Sequence, residues 1–293
     1  MTLKALLSRK DQALVAPGVY DALTALFAQR AGFEAAYLSG AAIAYTQIGR
    51  PDMGLVTAAE VADVISRISD RTGLKLIVDA DTGFGNALNV QRTVRTFERA
   101  GAAAIQLEDQ SLPKRCGHLS GKTLVSLDEM TGKVRAAVDA RASEDTLIIA
   151  RTDAIAVEGF EPALERAEAY LASGADVLFV EAPRSLEEMR AIAERFSTRI
   201  PLLANMVEGG RTPLRTAAEL QAIGFQLVIT PGALVRALAF ATEAFFDVLK
   251  RDGATTAYRD QMFDFGQLNT RLGIDDLVAD GARYDPSSRE AAE

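Results

Sequence analysis

Eight times in succession this chain sets a short apolar run ahead of a longer amphipathic segment, and no other feature restricts its fold so tightly. The runs are ALVAPG (13–18), AAYLSG (35–40), LKLIVDAD (74–81), AAIQLED (103–109), TLIIARTD (146–153), DVLFVEA (176–182), PLLANM (201–206) and QLVITPG (226–232). They are rich in Val, Ile and Leu and mostly lack polar alternation, the pattern of strands covered on both faces of a parallel sheet. Between them lie segments with helical spacing: Val90–Arg99, Glu161–Leu171, Leu186–Arg195 and Leu234–Leu249. Thr57 with Glu60 and Ser126 with Glu129 have the spacing of capping boxes, opening helices over 57–71 and 126–142. Gly32, Gly101, Gly174 and Gly224 stand where a helix must close before the next strand.

Eight consecutive strand–helix units argue for a closed (β/α)8 barrel of the TIM type rather than an open doubly wound sheet. The expected barrel covers residues 1–254. A C-terminal helical extension and tail follow over 255–293, with helical stretches at Tyr258–Leu268 and Ile274–Ala279 and a polar, disordered end. This extension can cap the barrel or pack on a neighbouring subunit.

Composition narrows the function classes. Lys plus Arg number 32 against 40 Asp plus Glu, a formal charge of −8. The basic residues are scattered rather than striped, which argues against a nucleic-acid surface. One cysteine, Cys116, excludes an intrachain disulfide framework and fits a reducing cytosol. The first ten residues are too short an apolar run for a secretory signal, and no uncharged apolar stretch reaches the ~18 residues of a membrane span. A cytoplasmic protein with no membrane partner is expected. An acidic protein that binds an anion must concentrate positive charge locally, through a metal or a few Arg and Lys residues.

Barrel chemistry sits at the C-terminal ends of the strands. Here those ends carry Ser39-Gly40, Asp79-Ala-Asp81, Glu108-Asp109, Arg151-Thr-Asp153, Glu181 and Asn205. Any one of them could be a solvated cap, but six strand ends in a row form a constellation. Asp79 and Asp81 alternate and can face one side of the mouth, with Glu108 on the adjacent strand. Three converging carboxylates repel unless a cation joins them, and an all-oxygen set suits Mg²⁺, or Mn²⁺, better than Zn²⁺. His118 is the only histidine, so no His/Cys ligand cluster competes. The alternative is a salt-bridge network with Arg151. In the loop after the fourth strand, Cys116 lies beside Lys114, Arg115 and His118, with Gly117 and Gly121 nearby. Positive neighbours favour a reactive thiolate, so this loop could deliver a proton-transfer group as a lid. An inert loop thiol is the other reading.

Together these motifs resemble the isocitrate lyase/phosphoenolpyruvate mutase superfamily, and within it the 2-methylisocitrate lyase-like branch. The likeness runs through YLSGA (37–41), GRPDMG (49–54), VDADTGFGN (78–86), LEDQ (107–110), KRCGH (114–118), ARTDA (150–154), FVEAP (179–183) and NMVEGGRTP (205–213). KRCGH together with DAD-x-GFG is highly specific. The resemblance implies a Mg²⁺-dependent carbon–carbon lyase acting on a small 2-hydroxy di- or tricarboxylate to give a 2-oxo acid and a second carboxylate. It implies that Asp79 lies nearest the metal, with Asp81 and Glu108 acting largely through metal-bound water and Asp52 close by. Ser39, Gly40 and Ala41 would bind the 2-oxo carboxylate, and Tyr37, Arg151, Glu181 and Asn205 would be further substrate contacts. Lys114, Arg115, Gly117 and His118 would join them from the loop, while Cys116 would protonate the departing carbanion. A homotetramer with its last helix exchanged between subunits is also implied.

Family members that are mutases or phosphonopyruvate hydrolases typically lack KRCGH, so its presence favours a lyase. Leu119-Ser120-Gly121 and Gly209-Gly210-Arg211 depart from the methylisocitrate lyase pattern, toward dimethylmalate lyase, oxaloacetate hydrolase and petal-death-protein relatives. Arg211 is either an extra carboxylate contact or a surface residue. An oxaloacetate hydrolase or decarboxylase, a carboxyphosphonoenolpyruvate-type mutase and an inactive metal-binding scaffold remain as alternatives.

Overall fold

The computed structural model describes residues 1–9, 11–114 and 121–285. Among them are all eight expected strands: β1 (Leu14–Val19), β2 (Ala35–Leu38), β3 (Lys75–Asp79), β4 (Ala102–Glu108), β5 (Leu147–Thr152), β6 (Val177–Val180), β7 (Leu203–Asn205) and β8 (Leu227–Thr230). They run parallel in the order β6-β5-β4-β3-β2-β1-β8-β7. A parallel bridge between Leu178 and Leu202 joins the two ends, helped by Leu178 N–H donating to the Pro201 carbonyl at 3.0 Å. The result is the (β/α)8 barrel.

Strand alternation sorts the side chains into two cores. One set, including Leu38, Val78, Ile105, Ile148, Leu178 and Val228, packs outward against helices such as Ala58–Arg71 and Ala87–Ala100. The other set points inward: Ala16, Tyr37, Ile77, Ala104, Ile149, Phe179, Leu203 and Ile229. A helix that the sequence reading does not anticipate, Leu3–Leu7, contributes Leu3, Leu6 and Leu7 to this inner core. Their companions Leu14, Leu147, Val177 and Leu227 begin their strands, so the helix plugs the end opposite the strand C-termini. Going up the inner face, apolar residues give way to ionic ones. Ala104, Gln106 and Glu108 follow one another on β4, as do Leu147, Ile149 and Arg151 on β5.

Local signals fall mostly where expected. Thr57 and Glu60 form a reciprocal capping box. Gly32, Gly101, Gly174 and Gly224 all take positive φ. At Gly101 a Cβ would also lie 2.3 Å from the Ser69 hydroxyl. At the other expected box only half forms: Ser126 accepts from Glu129 N–H at 3.1 Å. The Glu129 carboxylate turns instead toward Lys133, one turn on, at 3.4 Å.

The described chain divides into two compact units, Met1–Arg236 and Ala237 onward. The helix Ala233–Asp252 begins in the first and ends in the second. In the second unit, Phe245 meets Tyr258 edge to face at 5.3 Å, and Tyr258 OH donates to the Ala241 carbonyl at 3.1 Å. The helix expected over Tyr258–Leu268 is instead a 3₁₀ turn, Thr256–Gln261, followed by a separate helix, Phe265–Leu272. Asp264 and Gln267 form a capping box that starts the new helix after extended Met262. Ile274–Ala282 follows, and the polar end assigned to disorder lies outside the described residues.

Candidate active site

At the strand C-termini a cavity of about 240 Å³ is lined by Tyr37, Ser39, Ala41, Asp52, Asp79, Glu108, Lys114, Arg151, Glu181 and Asn205. These belong to the set expected from the sequence, brought together from different elements. The lining also includes Tyr45, Phe179, Val207, Ile229, Pro231, Gly232 and Arg236. The proline and glycine follow β8 directly, and Arg236 lies in the first turns of the next helix. Arg236 reads as an ordinary helical residue in sequence; only its distance past a strand end hints at the mouth.

Asp79 ends β3, but Asp81 is not on the strand as simple alternation would have it. Asp81 turns into the left-handed region at φ 47°, a conformation that costs a non-glycine residue ~1–3 kcal/mol. The turn is held by Gly83 N–H donating to the Ala80 carbonyl and Glu108 N–H to the Asp81 carbonyl. The two carboxylates still converge, since a Cβ on Gly40 would lie 3.6 Å from both Asp79 Oδ2 and Asp81 Oδ1. Ala182, immediately after Glu181, is a second left-handed residue beside the site.

The Lys114 ammonium reaches into this group, 2.6 Å from Asp52 Oδ1 and 2.5 Å from Asp81 Oδ1. Burial alone would lower its pKa, but Asp81, Glu108, Asp79 and Asp52 outweigh that and raise it well above the usual lysine value. Burial pushes the Asp81 carboxyl up to about 7, with Lys114 opposing and Asp79 and Asp52 adding to the rise. Burial likewise carries Glu108 well above the usual Glu range, although Arg151 Nη1 stands 3.2 Å from its Oε2. Arg151 is gripped by Asp153 and stacks over the Phe179 ring at 5.1 Å. Glu181 receives the Asn205 amide at 3.2 Å.

The donor set fits a hard divalent cation. Asp52, Asp79, Asp81, Glu108 and Glu181 carry five potential negative charges, and Lys114, Arg151 and Arg236 three positive ones, so acidic groups outnumber basic ones before any anionic ligand enters. Glu108 Oε1 is buried without a hydrogen-bond partner among the described residues. No three His, Cys, Asp or Glu side chains among the described residues form a ready-made metal cage. Asp79, Asp81 and Glu108 are the carboxylates that would hold such a cation. The carboxylate–Arg network offered as the alternative is present too: Glu108 faces both Arg151 and the cavity.

Ser39 caps the helix Gly40–Gln47, its hydroxyl accepting from Ala42 N–H at 3.3 Å. First-turn N–H groups have no partner within a helix, and Ser39 and Ala41 at this helix start line the cavity. Arg211 is exposed and does not line the cavity. Arg115, Cys116, Gly117 and His118 lie outside the described residues.

Fold and site together define an enzyme of the (β/α)8-barrel class with its polar groups gathered at the C-terminal mouth. The phosphoenolpyruvate phosphomutase family model matches residues 3–249, and the chain belongs to that family. It is 46% identical to the 2,3-dimethylmalate lyase of Eubacterium barkeri over 94% of each chain. It is 48% identical to the 2-methylisocitrate lyase of Aeropyrum pernix, over 100% of this chain and 92% of the relative. Among solved structures, a 2,3-dimethylmalate lyase superposes with a TM-score of 0.90 at 39% identity, covering 96% of this chain and 93% of that one. An oxaloacetate acetylhydrolase bound to 3,3-difluorooxalacetate matches with a TM-score of 0.90 at 37% identity over 97% of each. A phosphonopyruvate hydrolase solved with oxalate and Mg²⁺ matches at 0.86 and 30% identity, covering 97% of this chain and 99% of that one.

Proposed function

We propose that this enzyme is a carbon–carbon lyase. It cleaves a small 2-hydroxy di- or tricarboxylate, of the 2-methylisocitrate or 2,3-dimethylmalate kind, to a 2-oxo acid such as pyruvate and a second carboxylate. The observation that carries the reading is one cavity lined together by Asp79, Glu108, Arg151 and Ser39, the cap of a helix start. Asp79, Asp81 and Glu108 would hold Mg²⁺, or Mn²⁺, which when bound would supply Lewis-acid stabilisation of negative charge on the substrate's 2-oxygen. Ser39, Gly40 and Ala41 bind the carboxylate next to that carbon, and Arg151 adds a fixed positive charge. Tyr37, Glu181 and Asn205 orient the substrate. Lys114, Arg115, Gly117 and His118 would add substrate contacts; as the carbon–carbon bond breaks, a general base takes the 2-hydroxyl proton and Cys116 donates a proton to the departing carbanion. Arg236, which lines the same cavity, would pair with the substrate's second carboxylate.

A second reading is oxaloacetate hydrolysis or decarboxylation, favoured by the equal structural likeness to the oxaloacetate acetylhydrolase. The test is incubation with Mg²⁺ and methylisocitrate, isocitrate, dimethylmalate, citramalate or oxaloacetate, with products followed by mass spectrometry. Cleavage of a 2-hydroxy acid supports the lyase, and loss of oxaloacetate alone moves the enzyme to the second reading. Turnover of neither class overturns the substrate assignment and leads to phosphonates.

The protein works in the cytoplasm as a homotetramer, and the extension over 255–293 packs on a neighbouring subunit through the exchanged last helix. Exposed Phe265, Leu277 and Val278 support this reading. Sedimentation as a monomer would overturn it.

A further inference from the structure

Gln106 is the polar exception on the inner face of the barrel. It is completely buried on β4, one inward step above Ala104 and one below Glu108. Its amide uses both ends. Tyr37 OH donates to Gln106 Oε1 at 2.7 Å, and Gln106 Nε2 donates to Asp79 Oδ1 at 3.2 Å. The carboxylate dictates this orientation, because the flipped amide would set an oxygen against Asp79. With the amide oxygen turned to Tyr37, the phenol must be the donor. The chain Tyr37 to Gln106 to Asp79 therefore runs in one direction only.

Its end point has a consequence for Asp79. Oδ1 also accepts the Asp81 backbone N–H at 3.1 Å, so two N–H donors hold one oxygen of the carboxylate. The other oxygen, Oδ2, faces Gly40, 3.6 Å from where a Cβ on that residue would stand. We infer that Gln106, oriented by Tyr37, is a positioning residue that locks Asp79 as a single-oxygen ligand for a divalent cation. The inference rests on the proposed Mg²⁺ or Mn²⁺ site and adds to it a partner on a different strand. Groups that orient a metal-binding side chain in this way commonly change metal affinity by ~10–100-fold when removed.

The test is Mn²⁺ affinity, measured by calorimetry and by the electron paramagnetic resonance signal of free Mn²⁺, on purified full-length protein without substrate. Gln106→Met keeps the volume and removes both hydrogen bonds; its Kd for Mn²⁺ should rise by about tenfold or more. Tyr37→Phe frees the amide without removing its contact with Asp79, and the rise should be smaller. Tyr37→Phe/Gln106→Met should match Gln106→Met, because Tyr37 acts on Asp79 only through the amide. The double variant also leaves no orphaned phenol, so it carries the test if Gln106→Met does not fold. Unchanged Mn²⁺ affinity in a folded variant, with only a lower Tm, would assign Gln106 a purely structural role and overturn the inference. Additive losses from the two substitutions would also overturn it. Wild-type protein that binds no Mn²⁺ would remove the proposed metal site itself, a result distinguishable from either.

Discussion

Asp153 grips Arg151 from behind, accepting its Nε at 2.9 Å and its Nη2 at 3.1 Å, and so aims the remaining guanidinium nitrogen at Glu108 and the cavity. Asp153 is itself held by Lys122 Nζ at 2.6 Å and donates its backbone N–H to Asp109 at 2.9 Å. The side chain at the mouth is thus only the visible end of a buried chain of charges. Arg151→Lys keeps the charge but loses the fork that fits Asp153. The expected result is a fall in kcat/KM of ~10²–10³-fold with the fold intact by circular dichroism.

The same pair sets an acid limit on stability. Burial alone would push Asp153 up, but Arg151 and Lys122 outweigh it and hold its carboxyl below the usual Asp value of 3.8. The fold therefore favours the ionised form. The resulting stabilisation is complete above the unfolded value and is lost as pH falls below it toward the folded one. Asp153→Asn should be less stable than wild type at pH 7 by urea denaturation, by ~3–5 kcal/mol. The gap should narrow as pH drops below about 4; a gap that stays constant would contradict the assignment.

Gly18 on β1 allows the chain after β8 to pass. A Cβ there would lie 2.1 Å from the Pro231 carbonyl oxygen, a clash with backbone rather than with a movable side chain. Gly18→Ala should cost ~1–3 kcal/mol or more, read as a lower Tm. Since Pro231 and Gly232 line the cavity, KM should rise as well.

Cys116→Ser separates proton transfer from metal binding. Turnover of the 2-hydroxy acid should be lost, while Mn²⁺ affinity measured by calorimetry stays at the wild-type value. EDTA should abolish turnover in wild type, and Mg²⁺ should restore it. Loss of metal binding in the Ser variant would show that the thiol does more than carry a proton.

Arg236 lines the cavity and pairs with Glu208. If it meets the second carboxylate equally in ground and transition states, Arg236→Ala should raise KM about tenfold and leave kcat nearly unchanged. Equal falls in kcat and kcat/KM would instead place it at the reacting carbon.

Local rules carried the reading of the barrel a long way. Short apolar runs, Thr57 with Glu60, and positive-φ glycines such as Gly101 are decided by residues within a few positions of one another. Their failures are local contests with close outcomes: Glu129 chose Lys133 over its cap, and Asp264 started a new helix within a stretch of continuous helical pattern. The strand-end constellation was legible for a related reason. In a parallel barrel every strand delivers its last inward residue to the same mouth, so Asp79, Glu108, Arg151, Glu181 and Asn205 could be gathered before their distances were known.

What the chain alone determined, then, is the barrel, the chemical groups at its mouth and the family motifs they spell. Only the tertiary structure decided how those groups bear on one another. Tyr37 meets Gln106 across 69 positions, Lys122 meets Asp153 across 31, and Arg236 arrives from beyond the last strand. No periodicity encodes such pairs, because they form only when the barrel closes. Closure also removes the water that would screen them, and so Glu108 and Asp81 are raised while Asp153 is held low.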